Sequence, residues 1–208
     1  MTTFDGRLEL GKQISEDQVI AEFLRAELTS ARAGPGLRRA AEDLGVETRV
    51  INEPSFGSAE EAAVRRRLAE RHAGWGTDHG VCGGLPTDTV SWWLARLDRE
   101  VLGAVEVIRW LVEEFPEQFP ARTLGGLRDA RLAALAGRPP HEADRLRQAL
   151  GDGTLARSIV ITTPGPERLV VLEGHSRMFA YALLGRAGPA RIELILGITP
   201  VARQWSEW

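Results

Sequence analysis

Two short apolar runs in the last third of the chain constrain its fold most. Ser158 to Thr162 reads Ser-Ile-Val-Ile-Thr, and Arg168 to Leu172 reads Arg-Leu-Val-Val-Leu. Pro164-Gly165-Pro166 between them is a hairpin-type turn signal. Runs this rich in Val, Ile and Leu, with no polar alternation, are expected as strands buried on both faces. A short segment, Glu173-Gly174-His175-Ser176-Arg177, then opens a helix expected from Met178 to Leu184. Gly185 to Pro189 breaks it, and Arg191 to Leu196 is expected as a third strand.

Upstream the periodicity is helical. Ser15 with Gln18 is a capping-box pattern, and Val19, Ile20, Phe23, Leu24 and Leu28 fall on one stripe. Ala33-Gly34-Pro35-Gly36 ends that helix, and a short one follows to Leu44. Thr48 to Ile51 is expected as a strand. Ser58 and Glu61 form a second capping box before a helix through His72, with Arg65, Arg66, Arg67 and Arg71 on a mostly solvated surface. Gly74 to Gly84 reads as a glycine-rich loop holding Trp75. Val90 to Ala95 alternates as a strand does, or forms the first turn of a helix. A helix is expected from Asp98 to about Phe115-Pro116. Phe119 to Gly126 is irregular, and Leu127 to Ala136 is helical. Gly137-Arg138-Pro139-Pro140 is the clearest linker, followed by a short helix over His141 to Leu150 and a turn at Gly151-Asp152-Gly153. The expected class is α+β: a largely helical region over residues 1–140, packed on a mixed sheet-and-helix core over 141–208.

Composition excludes several classes. Of 208 residues, 43% are hydrophobic and 26% charged, which is globular rather than disordered. No run approaches a membrane span, and Met1 to Gln13 lacks the apolar core of a secretory signal. The net charge of −3 disfavours duplex DNA as a partner, since that binding rests on phosphate neutralisation. The single cysteine, Cys82, excludes an internal disulfide framework and a cysteine-rich zinc site, so a cytoplasmic setting is expected. Lys12 is the only lysine, so lysine-based chemistry has one candidate.

The strand–Glu173-Gly174-His175-Ser176-Arg177–helix arrangement has a physical reading of its own. Gly174 permits a sharp turn and a close ligand approach. The following N–H groups open a helix, where the dipole favours an anion. Arg177 adds a planar fork suited to phosphate or carboxylate. Ser176 is a hydroxyl donor, His175 a proton carrier, and Glu173 a base or metal ligand. The alternative is a capped helix with Ser176 as cap and Arg177 on the surface.

These residues, with the flanking order of elements, resemble the ParB/sulfiredoxin superfamily. That family has a short helix, a glycine turn, a strand, a hairpin, a strand and a Gly-x-x-Arg loop opening a helix, as Leu146 to Arg177 does in this chain. Sulfiredoxins carry a reactive cysteine directly after the glycine, where this chain has His175. Chromosome-partitioning members have Gly-Glu-Arg-Arg and a following helix-turn-helix domain. The free serine kinase branch, with Asp-Gly-His-His-Arg, is the most similar, with Ser176 in place of the second histidine. The resemblance implies a nucleotide-dependent enzyme that transfers phosphate to a small hydroxylated molecule. ATP or another nucleotide would be bound with Mg2+. Gly174, Ser176 and Arg177 would hold the phosphates, and Glu173 or His175 would accept the hydroxyl proton. A non-catalytic nucleotide-sensing module that binds another protein is the alternative, and a ParB-like nuclease a third reading. A homodimer is left open.

Other signals are weaker. Gly6 to Gln13 nearly fits a P-loop but has Gln13 where magnesium needs a hydroxyl. His72 and His79, near Asp78 and Cys82, match no zinc spacing and read as polar loop residues. Trp92, Trp93 and Trp110 are expected as core anchors, and Trp205 and Trp208 as a docked tail. Arg122 and Arg128, bordering the irregular segment, are second-tier substrate-binding candidates.

Overall fold

The computed structural model describes residues 4–80, 83–134, 148 and 156–208. Cys82, the linker at 137–140, the turn at 151–153 and all but Gln148 of the helix expected at 141–150 lie outside the described residues. The class is α+β: a helical N-terminal region is followed by a six-stranded mixed sheet interleaved with helices. No described helix is long and apolar enough to cross a membrane.

The chain forms two compact units, one of residues 14–92 and the other of residues 1–13 with 93–208. The first unit contains α1 (Glu16–Thr29), α2 (Gly34–Asp43), α3 (Arg49–Asn52) and α4 (Ala59–Ala73). Ser15 caps α1 in a complete capping box, and the Ser58 side chain accepts the Glu61 N–H at the start of α4. Helix α1 packs on α2 and α4 with Val19, Ile20, Phe23 and Leu24 buried. Thr48 to Ile51, expected as a strand, contributes instead to the single turn α3, which buries Val50 and Ile51.

Arg65 corrects the expectation of a solvated arginine face. Its side chain is 0% exposed. It donates to both Asp17 carboxylate oxygens, at 2.7 and 2.6 Å, and to Glu61 and the Val50 carbonyl. A charge this deep is tolerable only with its donors engaged. After α4 the glycine loop turns on Gly74 and Gly80, both at positive φ. A side chain on either would run into backbone, of His79 and Ala73 respectively, so glycine is obligatory there. Trp75 is fully buried, donates to Glu16, and lies 5.4 Å from the Phe23 ring and 6.2 Å from that of Trp92.

The second unit carries the sheet. Its strands are β1 (Leu8–Ile14), β2 (Ser91–Asp98), β3 (Glu106–Val107), β4 (Ser158–Thr162), β5 (Val170–Glu173) and β6 (Arg191–Ile198), in the order β1-β2-β6-β4-β5-β3. Strand β4 runs parallel to β6, with Val160 opposite Leu196. It runs antiparallel to β5, with Val160 opposite Val171. Every residue of β4 is buried, as its unalternating composition predicts. On one face Val160, Val171, Leu194 and Leu196 form a core with residues of two helices. These are α6 (Leu124–Ala134), through Leu124 and Leu127, and α7 (His175–Leu184), through Met178 and Ala182.

The long helix expected from Asp98 does not form. Arg99–Ala104 is a 3-10 segment, Glu106–Val107 is β3, and only Arg109–Glu114 is helical, as α5. Val105 and Val107 are fully buried, and Glu106 and Val107 pair in parallel with Val170 and Val171 of β5. Tertiary pairing overrides a weak local pattern here. Trp92 is a core anchor as expected and Trp93 is half-buried, but Trp110 on α5 is 48% exposed. Trp205 and Trp208 are buried, so the tail is docked.

Candidate functional site

Strand β5 ends at Glu173, and α7 begins two residues later at His175, three residues earlier than the sequence suggests. The turn between them is a single residue, Gly174, at φ +87°. Only glycine enters this left-handed region cheaply. The Met178 N–H reaches back to the Gly174 carbonyl at 2.9 Å and closes the first helical turn. No side chain caps α7. The orphan donors of a helix start and the positive end of its dipole therefore lie at this turn.

Glycine is needed at 174 for a second reason. A Cβ there would lie 2.9 Å from both the Ser158 Cβ and the Arg177 Nη2, and closer still to the Ser158 hydroxyl. The close approach expected of a ligand is thus made by the protein itself. The Ser158 hydroxyl donates to the Gly174 carbonyl at 3.3 Å, tying the turn to β4. Sequence reasoning passed over Ser158, because an ordinary polar residue opening a strand carries no local signal.

Glu173 and Arg177 face each other one helical turn apart and form an ion pair through Glu173 Oε2 and Arg177 Nη2. Their side chains are 19% and 20% exposed. Arg177 Nε is buried and makes no hydrogen bond among the described residues. Ser176 is exposed and His175 half-buried. Arg177 is therefore neither a surface residue nor a free fork: one arm holds Glu173 and one donor remains unmatched. Tyr181 follows one turn along α7, and burial pushes its phenol above the usual value of 10.0 against the opposing effect of Arg177.

Arg122 belongs to a different cluster. Its Nε is 2.8 Å from Glu106 Oε2, and its Nη2 donates to the Glu207 carbonyl at 2.7 Å. Arg168 pairs with the same Glu106 carboxylate, and its guanidinium lies 5.2 Å from the centre of a Trp208 ring. Arg109 donates to the Trp208 carbonyl at 2.8 Å, and the Trp110 N–H to the Glu207 carboxylate at 2.7 Å. Burial lowers the Arg122 pKa, and the neighbouring charges of Arg168 and Arg109 add to this while Glu106 and Glu207 oppose it. These side chains grip the tail. Glu106 pairs in register with Val170, and Gly174 lies four residues further along, roughly 13 Å at about 3.3 Å per residue. Arg128 is on α6 in an exposed pair with its neighbour Asp129. The two second-tier arginines thus make their bonds elsewhere than at the turn.

The remaining sequence candidates are also placed. Lys12 lies in exposed β1 rather than in a phosphate loop. His72 is on α4, not in a loop, 3.0 Å from Glu27, and His79 is exposed in the glycine loop. Among the described residues no three His, Cys, Asp or Glu side chains gather in a way that could hold a metal ion. The turn's donors, an uncapped helix start and an arginine with an unmatched N–H, fit phosphate oxygens rather than a metal directly. No protein family, no curated protein and no solved structure matches the chain.

Proposed function

We propose that the turn from Glu173 to Arg177 binds the phosphates of a nucleotide, and that the protein is a kinase-like enzyme transferring phosphate to a small hydroxylated molecule. The observation that carries this reading is the uncapped start of α7 together with the unmatched Nε of Arg177. Such a combination favours negative oxygens. The nucleotide would supply the phosphoryl group, and magnesium bound with it would supply charge neutralisation. The chain's own residues bind and orient. The N–H groups of the first turn and the exposed Ser176 hydroxyl face the phosphates, and Arg177 adds a positive charge. Glu173, held by Arg177 through Oε2, is the candidate for taking the acceptor's proton. His175, at the adjoining position, is the second candidate for that proton.

The Glu173–Arg177 pair also favours a second reading, in which the turn senses a nucleotide without turnover, because the base is already neutralised by a cation. Thermal melting in the presence of ATP, CTP and other nucleotides, with and without magnesium, tests binding. A ligand at about 100 times its Kd raises stability by roughly 2.7 kcal/mol. Arg177→Gln should abolish that rise, and an unaltered rise in the variant overturns the assignment. Nucleotide consumption that depends on a hydroxylated acceptor separates the enzyme from the sensor.

A further inference from the structure

The helical unit holds a second feature that the turn does not explain. Between α2 and α4 runs a groove of about 490 Å³ lined by Arg32, Gly36, Arg39, Asp43, Arg71 and His72. Its arginines are poorly matched. Arg32 has no ion pair or hydrogen bond among the described residues. Arg39 makes one long bond of 3.5 Å to the Pro35 carbonyl of its own helix. Arg71 reaches Asp43 only at 3.8 Å, with both side chains nearly two-thirds exposed. Three weakly engaged arginines therefore line the groove with a single carboxylate, that of Asp43.

We infer that this groove binds a compact ligand carrying phosphate, such as a phosphomonoester or an oligophosphate. Guanidinium forks match phosphate oxygens two at a time. The ten-residue helix α2 starts at the same groove; the Gly34 N–H is taken by the Ser30 carbonyl at 2.8 Å and Pro35 has none, so the Gly36 N–H is the donor its first turn brings there. Gly36 keeps the floor low: a Cβ there would first meet His72 Cε1, at 3.7 Å. His72 is itself fixed by Glu27, at 3.0 Å from its Nε2. The volume is that of a small-ligand pocket.

Charge limits the ligand's size. Residues 14–92 hold nine arginines against thirteen aspartates and glutamates, so the unit is acidic overall. A long polyanion would meet repulsion beyond the groove, whereas a compact anion would meet only the local positive patch.

Calorimetric titration of the full chain with pyrophosphate at low salt tests this inference. The variant Arg32→Gln/Arg39→Gln/Arg71→Gln should bind at least about tenfold more weakly while melting as the parent does. Gly36→Asp, whose Cβ meets nothing nearer than His72 Cε1 at 3.7 Å and which adds a carboxylate to the groove, should have the same effect and decides the matter if the triple variant fails to fold. Arg177→Gln should retain this binding, which separates the groove from the turn. Unchanged affinity in the groove variants overturns the inference, as does loss of binding in Arg177→Gln alone. A single-stranded oligonucleotide that binds in the groove more tightly than pyrophosphate at about 0.15 M salt overturns the compact-ligand assignment.

Discussion

Gly174→Ala is the sharpest test of how the turn is built. Two costs add at this position. The backbone sits at φ +87°, which costs an L-residue about 1–2 kcal/mol. The new methyl would also press on Ser158 and Arg177, with the Ser158 Cβ and Arg177 Nη2 at 2.9 Å and the Ser158 hydroxyl nearer. Overpacking of that kind costs about 1–3 kcal/mol. The expected total is roughly 2–5 kcal/mol. Ser158→Gly should by itself cost about 1–2 kcal/mol, from the lost bond to the Gly174 carbonyl and the looser strand. In the double variant the clash with Ser158 disappears, while the milder contact with the movable end of Arg177 and the conformational part stay. The two substitutions should therefore couple favourably by about 1–3 kcal/mol. Urea denaturation of the parent, the two single variants and the double variant measures this, with the slopes compared to confirm that the same surface unfolds. An alanine cost below about 1 kcal/mol, or a coupling indistinguishable from zero, would refute the close packing of Ser158 on Gly174.

Asp17→Asn should destabilise by about 3–5 kcal/mol, because it leaves the buried Arg65 charge without its main partner, whereas Arg49→Gln at an exposed pair should be nearly silent; thermal melts compare them. Tyr181 is the only tyrosine, so the phenolate absorption band reports it alone. Its midpoint should lie above 10.0 in the folded protein. Since burial raises the folded value above the unfolded one, the stability it contributes is present below the unfolded pKa. That contribution is lost as pH rises through the folded pKa, and a midpoint at or below the ordinary value would contradict the burial. Trp208→Ala should cost about 3–5 kcal/mol and expose residues 199–208 to proteases, since it empties a buried site and removes the stacking of Arg168; unaltered resistance to limited proteolysis would contradict the docking of the tail.

The parts of the fold legible in the sequence are those fixed by local physics. The limits of β4 follow from five consecutive residues, and the start of α1 from the Ser15–Gln18 box. The second box is only half formed. Glu61 accepts from the Ser55 N–H and pairs with Arg49 and Arg65 instead of reaching back to Ser58, and the Ser55 bond leads in holding its pKa below 4.5. The illegible parts depend on distant partners. Arg65 is buried because Asp17 lies 48 residues earlier. Glu106 and Val107 form a strand rather than part of the expected helix because β5, more than 60 residues on, gives them a ladder. At the turn, the sequence reveals the motif and the need for glycine. It does not reveal that Ser158 closes on that glycine or that Glu173 occupies an arm of Arg177, since both depend on how β4 and α7 meet β5.

The position of β6 has a consequence for how the molecule is assembled. The last strand in sequence lies in the interior of the sheet, between β2 and β4. Until Arg191–Ile198 is made and inserted, the earlier strands can exist only as two separate ribbons with raw inner edges. Such edges invite mispairing, and the wait for a late insertion slows folding. Conditions that delay the arrival of this strand should therefore show up first as aggregation of newly made chains, well before any loss of stability in the finished protein.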